Sequence, residues 1–339
     1  MAEALEVSRQ ARRHASPNPW VGCVVVDTSG QIVGRGATEP PGGRHAEIVA
    51  LDEAGERARG ASVYVTLEPC NHHGLTPPCV DRLVRAGVGR VVLAISDPDP
   101  RVSGTGVDAL QHAGVETAVG VLEQAATEYL LPYVTHRRTG RPYVVLKLAA
   151  TLDGHIAAPD GSSRWITGSP ARRDAHELRA DSDAVLVGAS TVRADDPELT
   201  VRLGEDRDDD TRRPVRQPLR VVLGLAPAGA RVQPALELTG DLRGILDELG
   251  RLGVLQLLVE GGAGVAGDFH RHGLVDRYVV YLAPALLGGD DGIPMFRGPG
   301  AATMSEIWRG RLVSVERLGD DVRVDVVPQA GPFVSTGAQ

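Results

Sequence analysis

Lysine and asparagine are almost absent from this chain. Of its 36 lysine and arginine residues only Lys147 is a lysine, and its two asparagines are Asn18 and Asn71. Because lysine and arginine differ in pKa and shape, a position that keeps lysine is a candidate for one where chemistry restricts the choice. The alternative is chance, and the same two interpretations apply to each asparagine.

Cysteine and long apolar runs are scarce as well. Three cysteines make a poor disulfide framework, and in a cytoplasmic chain we expect metal binding or burial instead. Cys23 lies in the apolar run VGCVVV, which favours a buried thiol. No apolar stretch approaches the roughly 20 residues of a membrane helix, and the N-terminus has charges where a signal peptide is apolar. We therefore expect a cytoplasmic protein that does not act at a membrane.

Positive charge is not in excess. The net charge is −8 and the isoelectric point is about 5.7. Since proteins that bind a nucleic-acid duplex are usually basic, we expect a small-molecule substrate and no nucleic-acid partner.

Length and composition indicate two domains. A chain of 339 residues is too long for a single hydrophobic core of ordinary size. Because 42% of the residues are hydrophobic, well-packed folds are possible. The segment 132–142 is polar and carries proline and glycine, so we place the boundary there. The first domain is then 1–138 and the second 142–329. Residues 330–339 are expected to form a disordered tail.

Strands and helices alternate in both halves, which predicts an α/β fold for each. In the first half, helices at 2–14, 45–58 and 78–86 alternate with strands that include WVGCVVVD, VYVTL and RVVLAI. In the second half, the strands include YVVLKLAA, LRVVLG, LQLLVE and YVVYLAP. The stretch 204–214 is charged and is expected to be a surface loop.

The first chemical motif combines His45 and Glu47 with Cys70 and Cys79. One imidazole and two thiolates supply three zinc ligands, and a fourth position left for water is typical of a catalytic site. Zinc lowers the pKa of such a water to about 7. Glu47 is placed to take the proton of this water and to pass it to a ring nitrogen and then to a leaving amine. The combination of H-x-E with P-C is the signature of zinc deaminases.

A structural zinc site with an incidental glutamate is the alternative. Such a site needs a fourth protein ligand, and His72 and His73 are near enough in sequence to be considered. Glu47, two residues from a ligand in a strand–helix setting, favours the catalytic interpretation.

The motifs around these ligands resemble the deaminase half of the bifunctional deaminase–reductase family of riboflavin biosynthesis. The matching stretches read SPNPWVGCVVV, HAE and VTLEPCNHHGLTPPC. Eight residues separate Cys70 from Cys79, which is typical of this family, whereas most related deaminases have PCxxC. The resemblance implies a cytidine-deaminase-like three-layer sandwich whose pyrimidine nucleotide contacts Asn18 and the insert, including His72 and His73.

A second group of motifs begins at Lys147. No GxGxxG follows the opening strand of either domain, so a Rossmann fold is not indicated. Instead, LQLLVE leads into the glycine-rich turn 261–264 and a helix, where backbone N–H groups can approach a phosphate. Tight strand–helix turns use glycine in any case, so this turn alone is weak support. Several arginines could bind a phosphate, although each of them alone also fits a solvated surface residue. They are Arg172, Arg173, Arg179, Arg193 and Arg202.

The order of these motifs resembles the reductase half of the same family, which has a dihydrofolate-reductase-like fold. The resemblance spans nearly the whole chain and implies Zn²⁺ in the first domain and NADPH in the second. The residues that it places at NADPH are Ala150, Trp165, Thr191, Asp195, Gly262 and Gly264. The residues that it places at the substrate are Ser163, Arg179, Arg202 and Glu260. Lys147 is then near the nicotinamide and the ribose carbon, and a homo-oligomer through this domain is compatible with the resemblance.

The function that the resemblance implies has two steps. The first domain hydrolytically removes an amine from 2,5-diamino-6-ribosylamino-4(3H)-pyrimidinone 5′-phosphate. The second reduces the ribosyl group to ribityl by hydride transfer from NADPH, giving 5-amino-6-(5-phosphoribitylamino)uracil. A ribosylamine opens to an imine, which is a competent hydride acceptor.

Three features depart from the family. Trp20 follows PNP where a basic residue is usual, and His155 follows LDG where lysine or arginine is usual. The chain before Asp241 is short, so we expect a strand that reads like TLVVT in the family to be missing. This keeps open a deaminase whose second domain has lost reductase activity. The acidic charge and the long cysteine spacing oppose a tRNA adenosine deaminase, and Glu47 opposes a non-enzymatic zinc protein.

Overall fold

Strands and helices alternate through both halves of the chain in the computed structural model. The residues that it describes are 1–72, 77–99, 102–203 and 216–329. The two units into which they divide are 1–141 with 250–255, and 142–249 with the described residues from 256 onward. The expected loop at 204–214 and the expected tail at 330–339 lie outside the described residues. No helix in the described part is long and apolar enough to cross a membrane.

The first unit is built on a five-stranded mixed sheet in the order β2-β1-β3-β4-β5. Its strands are β1 (Gly22–Val26), β2 (Ile32–Ala37), β3 (Ser62–Leu67), β4 (Arg90–Ile95) and β5 (Glu116–Val119). Its helices are α1 (Ala2–Ser8), α2 (Ala46–Ala54), α3 (Cys79–Ala86), α4 (Thr105–His112), α5 (Glu123–Tyr129) and α6 (Leu131–Thr139). The strand β1 is antiparallel to β2 and to β3, while β3, β4 and β5 are parallel.

Helices cover both faces of this sheet because glycine removes the side chain where they touch it. A Cβ on Gly22 would lie 1.9 Å from the carbonyl oxygen of Ala4 in α1, and one on Gly36 would lie 2.0 Å from that of Ala46 in α2. Gly36 pairs with Cys23, which follows Gly22, and successive strand residues face opposite sides. The two helices therefore lie on opposite faces, which confirms the three-layer sandwich. Cys23 is fully buried, as expected.

The second unit is built on an eight-stranded sheet in the order β10-β9-β8-β11-β6-β12-β15-β14. Its strands are β6 (Tyr143–Thr151), β8 (Ala184–Gly188), β9 (Leu219–Leu223), β10 (Leu236–Leu238), β11 (Gln256–Val259), β12 (Arg277–Ala283), β14 (Gly310–Leu318) and β15 (Asp321–Pro328). A separate antiparallel pair is β7 (His155–Ala157) with β13 (Ile293–Pro294). Its helices are α7 (Ser169–Ala180), α8 (Ala189–Asp195), α9 (Leu242–Arg251) and α10 (Ala263–Arg271).

The six strands from β10 to β12 are parallel, and β15 and β14 continue the sheet in antiparallel pairs. All residues of β8 and β11 are buried, as expected of parallel strands with near-continuous apolar runs. Short connections lead from β8 into α8 and from β11 into α10. In sheets of this kind ligands bind at the carboxyl ends of the strands.

The expectation of a missing strand before Asp241 is wrong. Leu236–Leu238 pairs in parallel with β9 as the edge strand of the sheet. The strand has three residues and closely follows Pro234, so no apolar run marks it in the sequence.

The segment that we placed at the domain boundary is helical over Leu131–Thr139. Pro132 stands in the first turn, where a helix does not need its N–H. Gly140 ends the helix in the left-handed conformation, with a φ of 73°. The proline and the glycine of this segment therefore mark the two ends of a helix.

Two helices of the first unit are shorter than the sequence predicts. The helix α1 ends at Ser8 instead of residue 14, and α2 ends at Ala54 instead of residue 58. Each passes into a short 3-10 turn, at Arg9–Ala11 and Gly55–Ala58. The φ of 55° at Gly55 interrupts the regular helix there.

Candidate active sites

Two helix starts and a strand end bring three metal-binding side chains together. His45 is the residue before α2, Cys79 is the first residue of α3, and Cys70 follows shortly after β3. The Nδ1 atom of His45 lies 3.5 Å from Sγ of Cys70 and 3.2 Å from Sγ of Cys79. All three ligand atoms lie within 4.8 Å of one another.

These separations fit a single zinc ion. Bonds of about 2.3 Å to sulfur and about 2.0 Å to nitrogen, at tetrahedral angles, place a sulfur and a nitrogen ligand about 3.6 Å apart. One imidazole and two thiols are donors that zinc prefers, and three protein ligands leave a fourth position for water or substrate. The residues present therefore suit a catalytic zinc site.

The surroundings of Cys70 favour its thiolate. The pKa of this thiol is lowered to about 4, first by the hydrogen bond from the Cys79 thiol and then by that from His45. The same hydrogen bond raises the pKa of Cys79. The hydrogen bond to Cys70 raises the pKa of His45 to about 8. Since a metal requires thiolates and a neutral imidazole, zinc uptake at this cluster releases protons.

Glu47 lies beside the cluster in the first turn of α2. Its side chain is buried, with 4% of the residue exposed. Burial raises the pKa of this carboxyl to about 6, and the negative charge of Cys70 adds to the effect. A carboxyl that titrates near neutral pH suits a group that must both accept and donate a proton.

Asn18 and His72, the other predicted contacts of the first domain among the described residues, do not belong to this ligand group. Asn18 is half-buried, and its backbone N–H donates to the carbonyl of Ala15. His72 is exposed and is not part of the ligand group found among the described residues, so it gives no fourth ligand for a structural site. His73 lies outside the described residues.

A cavity of about 500 Å³ opens where strands of the second sheet end. The predicted site residues in its lining are Lys147, Ser163, Trp165, Arg179, Thr191, Asp195, Arg202, Glu260 and Gly262. Ala150 and Gly264 are not in this lining. Ala150 is fully buried in β6, directly after the cavity-lining residues Lys147, Leu148 and Ala149. Gly264 is exposed in the first turn of α10.

An ion pair between Glu260 and Arg179 dominates the electrostatics of the cavity. Nε and Nη2 of Arg179 donate to the two carboxylate oxygens at 2.5 and 2.9 Å, and Nη1 donates to the carbonyl of Thr200 at 3.0 Å. Burial alone raises the pKa of Glu260, but Arg179 outweighs it and, with Lys147, lowers the pKa to about 2. Burial lowers the pKa of Lys147, and the charge of Glu260 opposes that shift.

His176 and Glu198 also line this cavity and were not among the predicted site residues. The Nδ1 atom of His176 accepts the backbone N–H of Arg202 at 3.2 Å, and burial together with nearby cations lowers the His176 pKa to about 4. Glu198 pairs with both Arg202 and Arg231. His176 precedes Arg179 by three residues in α7, so the helical spacing is the signal that finds it.

Comparison with known proteins decides the family. A model described as the RibD C-terminal domain matches residues 142–324, and one described as the cytidine and deoxycytidylate deaminase zinc-binding region matches residues 1–95. A riboflavin biosynthesis protein RibD of Mycobacterium tuberculosis is 44% identical over 335 residues, which cover 96% of each chain. The chain belongs to the RibD family. The RibD of Escherichia coli is 40% identical over 96% of this chain and 98% of its own.

Solved RibD structures share the fold. That of Acinetobacter baumannii has a TM-score of 0.90 at 38% identity and covers 96% of this chain and 97% of its own. A Thermotoga maritima structure, described as a diaminohydroxyphosphoribosylaminopyrimidine deaminase/5-amino-6-(5-phosphoribosylamino)uracil reductase, has a TM-score of 0.86 at 34% identity, with 97% of each chain covered.

Membership of the RibD family fixes the class of both domains. The chain is a bifunctional enzyme of riboflavin biosynthesis, with a zinc-dependent deaminase domain and an NADPH-dependent reductase domain. The match to the relatives is full-length, and the strand that we expected to be missing is present, so nothing supports a lost reductase. The alternatives of a tRNA deaminase and a non-enzymatic zinc protein are likewise not supported.

Zinc content tests the ligand group. We expect about one zinc per chain, and Cys70→Ser or Cys79→Ser should lose most of it because a serine hydroxyl is not ionised at neutral pH. Metal analysis by mass spectrometry after gel filtration measures this. Cys23→Ala, which removes a thiol that is not one of the three ligand residues, is the control and should keep its zinc. Full zinc retention in both serine variants contradicts this ligand group.

Proposed function

We propose that the two domains act in sequence on one phosphorylated pyrimidine. The first removes an amine hydrolytically from 2,5-diamino-6-ribosylamino-4(3H)-pyrimidinone 5′-phosphate, and the second reduces the ribosyl group of the product to ribityl. Support comes from the two activities in the description of the Thermotoga maritima relative, together with the His45, Cys70 and Cys79 cluster. The product is 5-amino-6-(5-phosphoribitylamino)uracil.

In the deaminase step Glu47 is the proton carrier. Bound zinc supplies Lewis acidity toward water at neutral pH. The Glu47 carboxylate takes one proton from the attacking water and delivers it to the ring nitrogen. It then takes the second proton from the hydroxyl now on the ring carbon and delivers it to the amine, which leaves as ammonia when its C–N bond breaks. Its pKa of about 6 and its place next to the ligand group support this role. Asn18, His72 and His73 hold the pyrimidine nucleotide.

In the reductase step charged side chains orient the ribose and its phosphate. NADPH supplies the hydride for the C1′ carbon. Ser163, Arg202 and the Arg179–Glu260 pair hold the substrate, since all four residues line one cavity. Lys147 Nζ donates hydrogen bonds near the ribose, and its burial in that lining supports this position. The residues that we assign to NADPH are Ala150, Trp165, Thr191, Asp195, Gly262 and Gly264.

The substrate is a small molecule and not a nucleic acid. The acidic balance of the chain, with 44 acidic against 36 basic residues, supports this. We also place the enzyme in the cytoplasm, where NADPH and nucleotide intermediates are available.

Glu47→Gln separates proton transfer from metal binding. An amide cannot carry the proton, so this variant should keep zinc and fold yet lose deamination by about 10²-fold or more. It should still reduce the deaminated intermediate when that compound is supplied with NADPH. Product analysis by mass spectrometry and zinc analysis measure both steps. Near-normal deamination in Glu47→Gln means that another residue carries the proton.

Lys147→Arg tests the lone lysine. A planar guanidinium does not replace a compact ammonium whose donors rotate, so we expect kcat/KM for reduction to fall about tenfold or more, about 1.4 kcal/mol of transition-state stabilisation. NADPH oxidation with the deaminated intermediate measures the change. Zinc content and deamination should stay normal, and the exposed Arg317→Lys serves as control. If reductase kinetics are unchanged in Lys147→Arg, the proposed role of Lys147 is wrong and its being the only lysine is due to chance.

We also propose that the enzyme is a homodimer through the reductase domain. One face of the sheet at β12, β15 and β14 carries apolar side chains that are half-buried or exposed. They are Val280, Leu282, Leu312, Val315, Val322, Val324 and Val326. The register pairs Val280 with Val324 and Val324 with Val315, so they share that face. We propose that the same apolar face of a second copy of the chain covers this face, since an apolar surface of this kind marks an interface.

Val315→Glu is the test of this interface. Val315 is 58% exposed, so the substitution costs little in the monomer but buries a charge in the dimer. Light scattering after gel filtration should show a dimer for the wild type and a monomer for the variant. Arg311→Glu adds the same side chain three residue pairs away, on the opposite face of the sheet, and should remain dimeric. A monomeric wild type at about 10 μM protein refutes the proposed dimer.

A further inference from the structure

Glu68 is a buried acid that the proton-transfer scheme does not use. It lies two residues before Cys70, and 4% of it is exposed. A buried carboxylate without partners is costly, and this one accepts four backbone N–H groups. Oε1 accepts those of Gly106 at 2.9 Å and Val107 at 3.3 Å. Oε2 accepts those of Gly104 at 3.0 Å and Asp97 at 3.1 Å.

Three of these donors mark the beginning of α4. Gly104 is the residue before the helix, and Gly106 and Val107 lie in its first turn. The first N–H groups of a helix have no partner within it, and a carboxylate at this end also interacts favourably with the helix dipole. Glu68 therefore caps α4 from outside the helix.

Two more contacts join the same segments on either side of Cys70. The Nδ2 group of Asn71 donates to the carbonyl of Thr105 at 3.1 Å. A Cβ on Gly106 would lie 2.2 Å from the carbonyl oxygen of Pro69, so the helix approaches the turn as closely as glycine permits. Residues 68, 69 and 71 are thus all fixed against residues 104–107, and Cys70 stands between them.

We propose that Glu68 and Asn71 are positioning residues that hold the Cys70 thiolate in place for zinc by fastening its turn to the start of α4. This rests on the assignment of Cys70 as a zinc ligand. Neither residue belongs to the ligand group, and the hydrogen bonds described above join both side chains to backbone atoms. Groups outside the ligand shell typically change metal affinity or activity about 10- to 100-fold when they are replaced.

Glu68→Gln removes the carboxylate that accepts the four backbone N–H groups, with almost no change in the shape of the side chain. One carboxylate oxygen becomes an NH2 group, so two of the four backbone donors face another donor. We expect zinc transfer to a chromogenic chelator to become about tenfold faster or more, and deaminase kcat to fall by a similar factor with KM within about threefold. Glu116→Gln, an exposed carboxylate of the same domain, is the matched control and should behave as wild type. Glu68→Asp, which restores the charge, should recover part of the loss.

Gly106→Ala tests the same contact without touching Glu68. The added methyl collides with the carbonyl of Pro69 and should also speed zinc release about tenfold. The melting temperature of the zinc-free protein separates positioning from general stability. If both variants release zinc within about twofold of wild type, the proposal is wrong, whether or not they melt earlier. If Glu68→Gln does not fold, Gly106→Ala and Asn71→Asp decide the question by the same measurement. Retention of zinc in Cys70→Ser instead refutes the ligand assignment.

Discussion

A buried carboxylate stands at each of the two sites, and its neighbours decide how strongly it holds its proton. Burial alone raises the pKa of Glu47 and of Glu260 alike. At Glu47 the negative charge of Cys70 adds to burial, so the pKa rises to about 6. Glu260 has the fork of Arg179, so its pKa falls to about 2. The first group can exchange a proton at neutral pH, while the second is a permanent anion that orients other charges. Both carboxylates bear the free-energy cost of burial, but their neighbours make one a proton carrier and the other a fixed charge.

Much of the fold follows from local patterns in the sequence. The apolar runs of β6, β8 and β11 predict buried parallel strands, and the structure contains them. Features that depend on only a few residues were missed. The three residues of β10 gain their stability by pairing with β9 and have no apolar pattern of their own. Pro132 and Gly140 led us to place the domain boundary at 132–142, but the helix between them was not predicted, because proline opens α6 and glycine closes it.

The site residues also divide into those that the sequence predicts and those that it does not. His45, Cys70 and Cys79 are recognisable because zinc ligation demands particular side chains at short spacings, and the structure brings their ligand atoms together. Most predicted reductase residues line one cavity, but they were located by resemblance, since arginine is common in this chain. Contacts between backbone and side chain leave no such pattern. The four N–H groups on Glu68 and the N–H of Arg202 on His176 join residues 26 to 39 positions apart and depend on the tertiary fold.

The single lysine gives the reductase cavity a side chain that can be modified selectively. Lys147 is the only side-chain primary amine in the chain, and its pKa is lowered by burial, so at neutral pH a larger share of it is unprotonated and nucleophilic than for a surface lysine. Reagents selective for lysine amines, which modify most proteins at many places, have a single side-chain target here. The rate at which that one amine is modified reports how far the cavity is open to solvent. Ligand occupancy can therefore be followed from the mass of the peptide that contains Lys147, which separates its modification from that of the Met1 amino group, without an engineered probe.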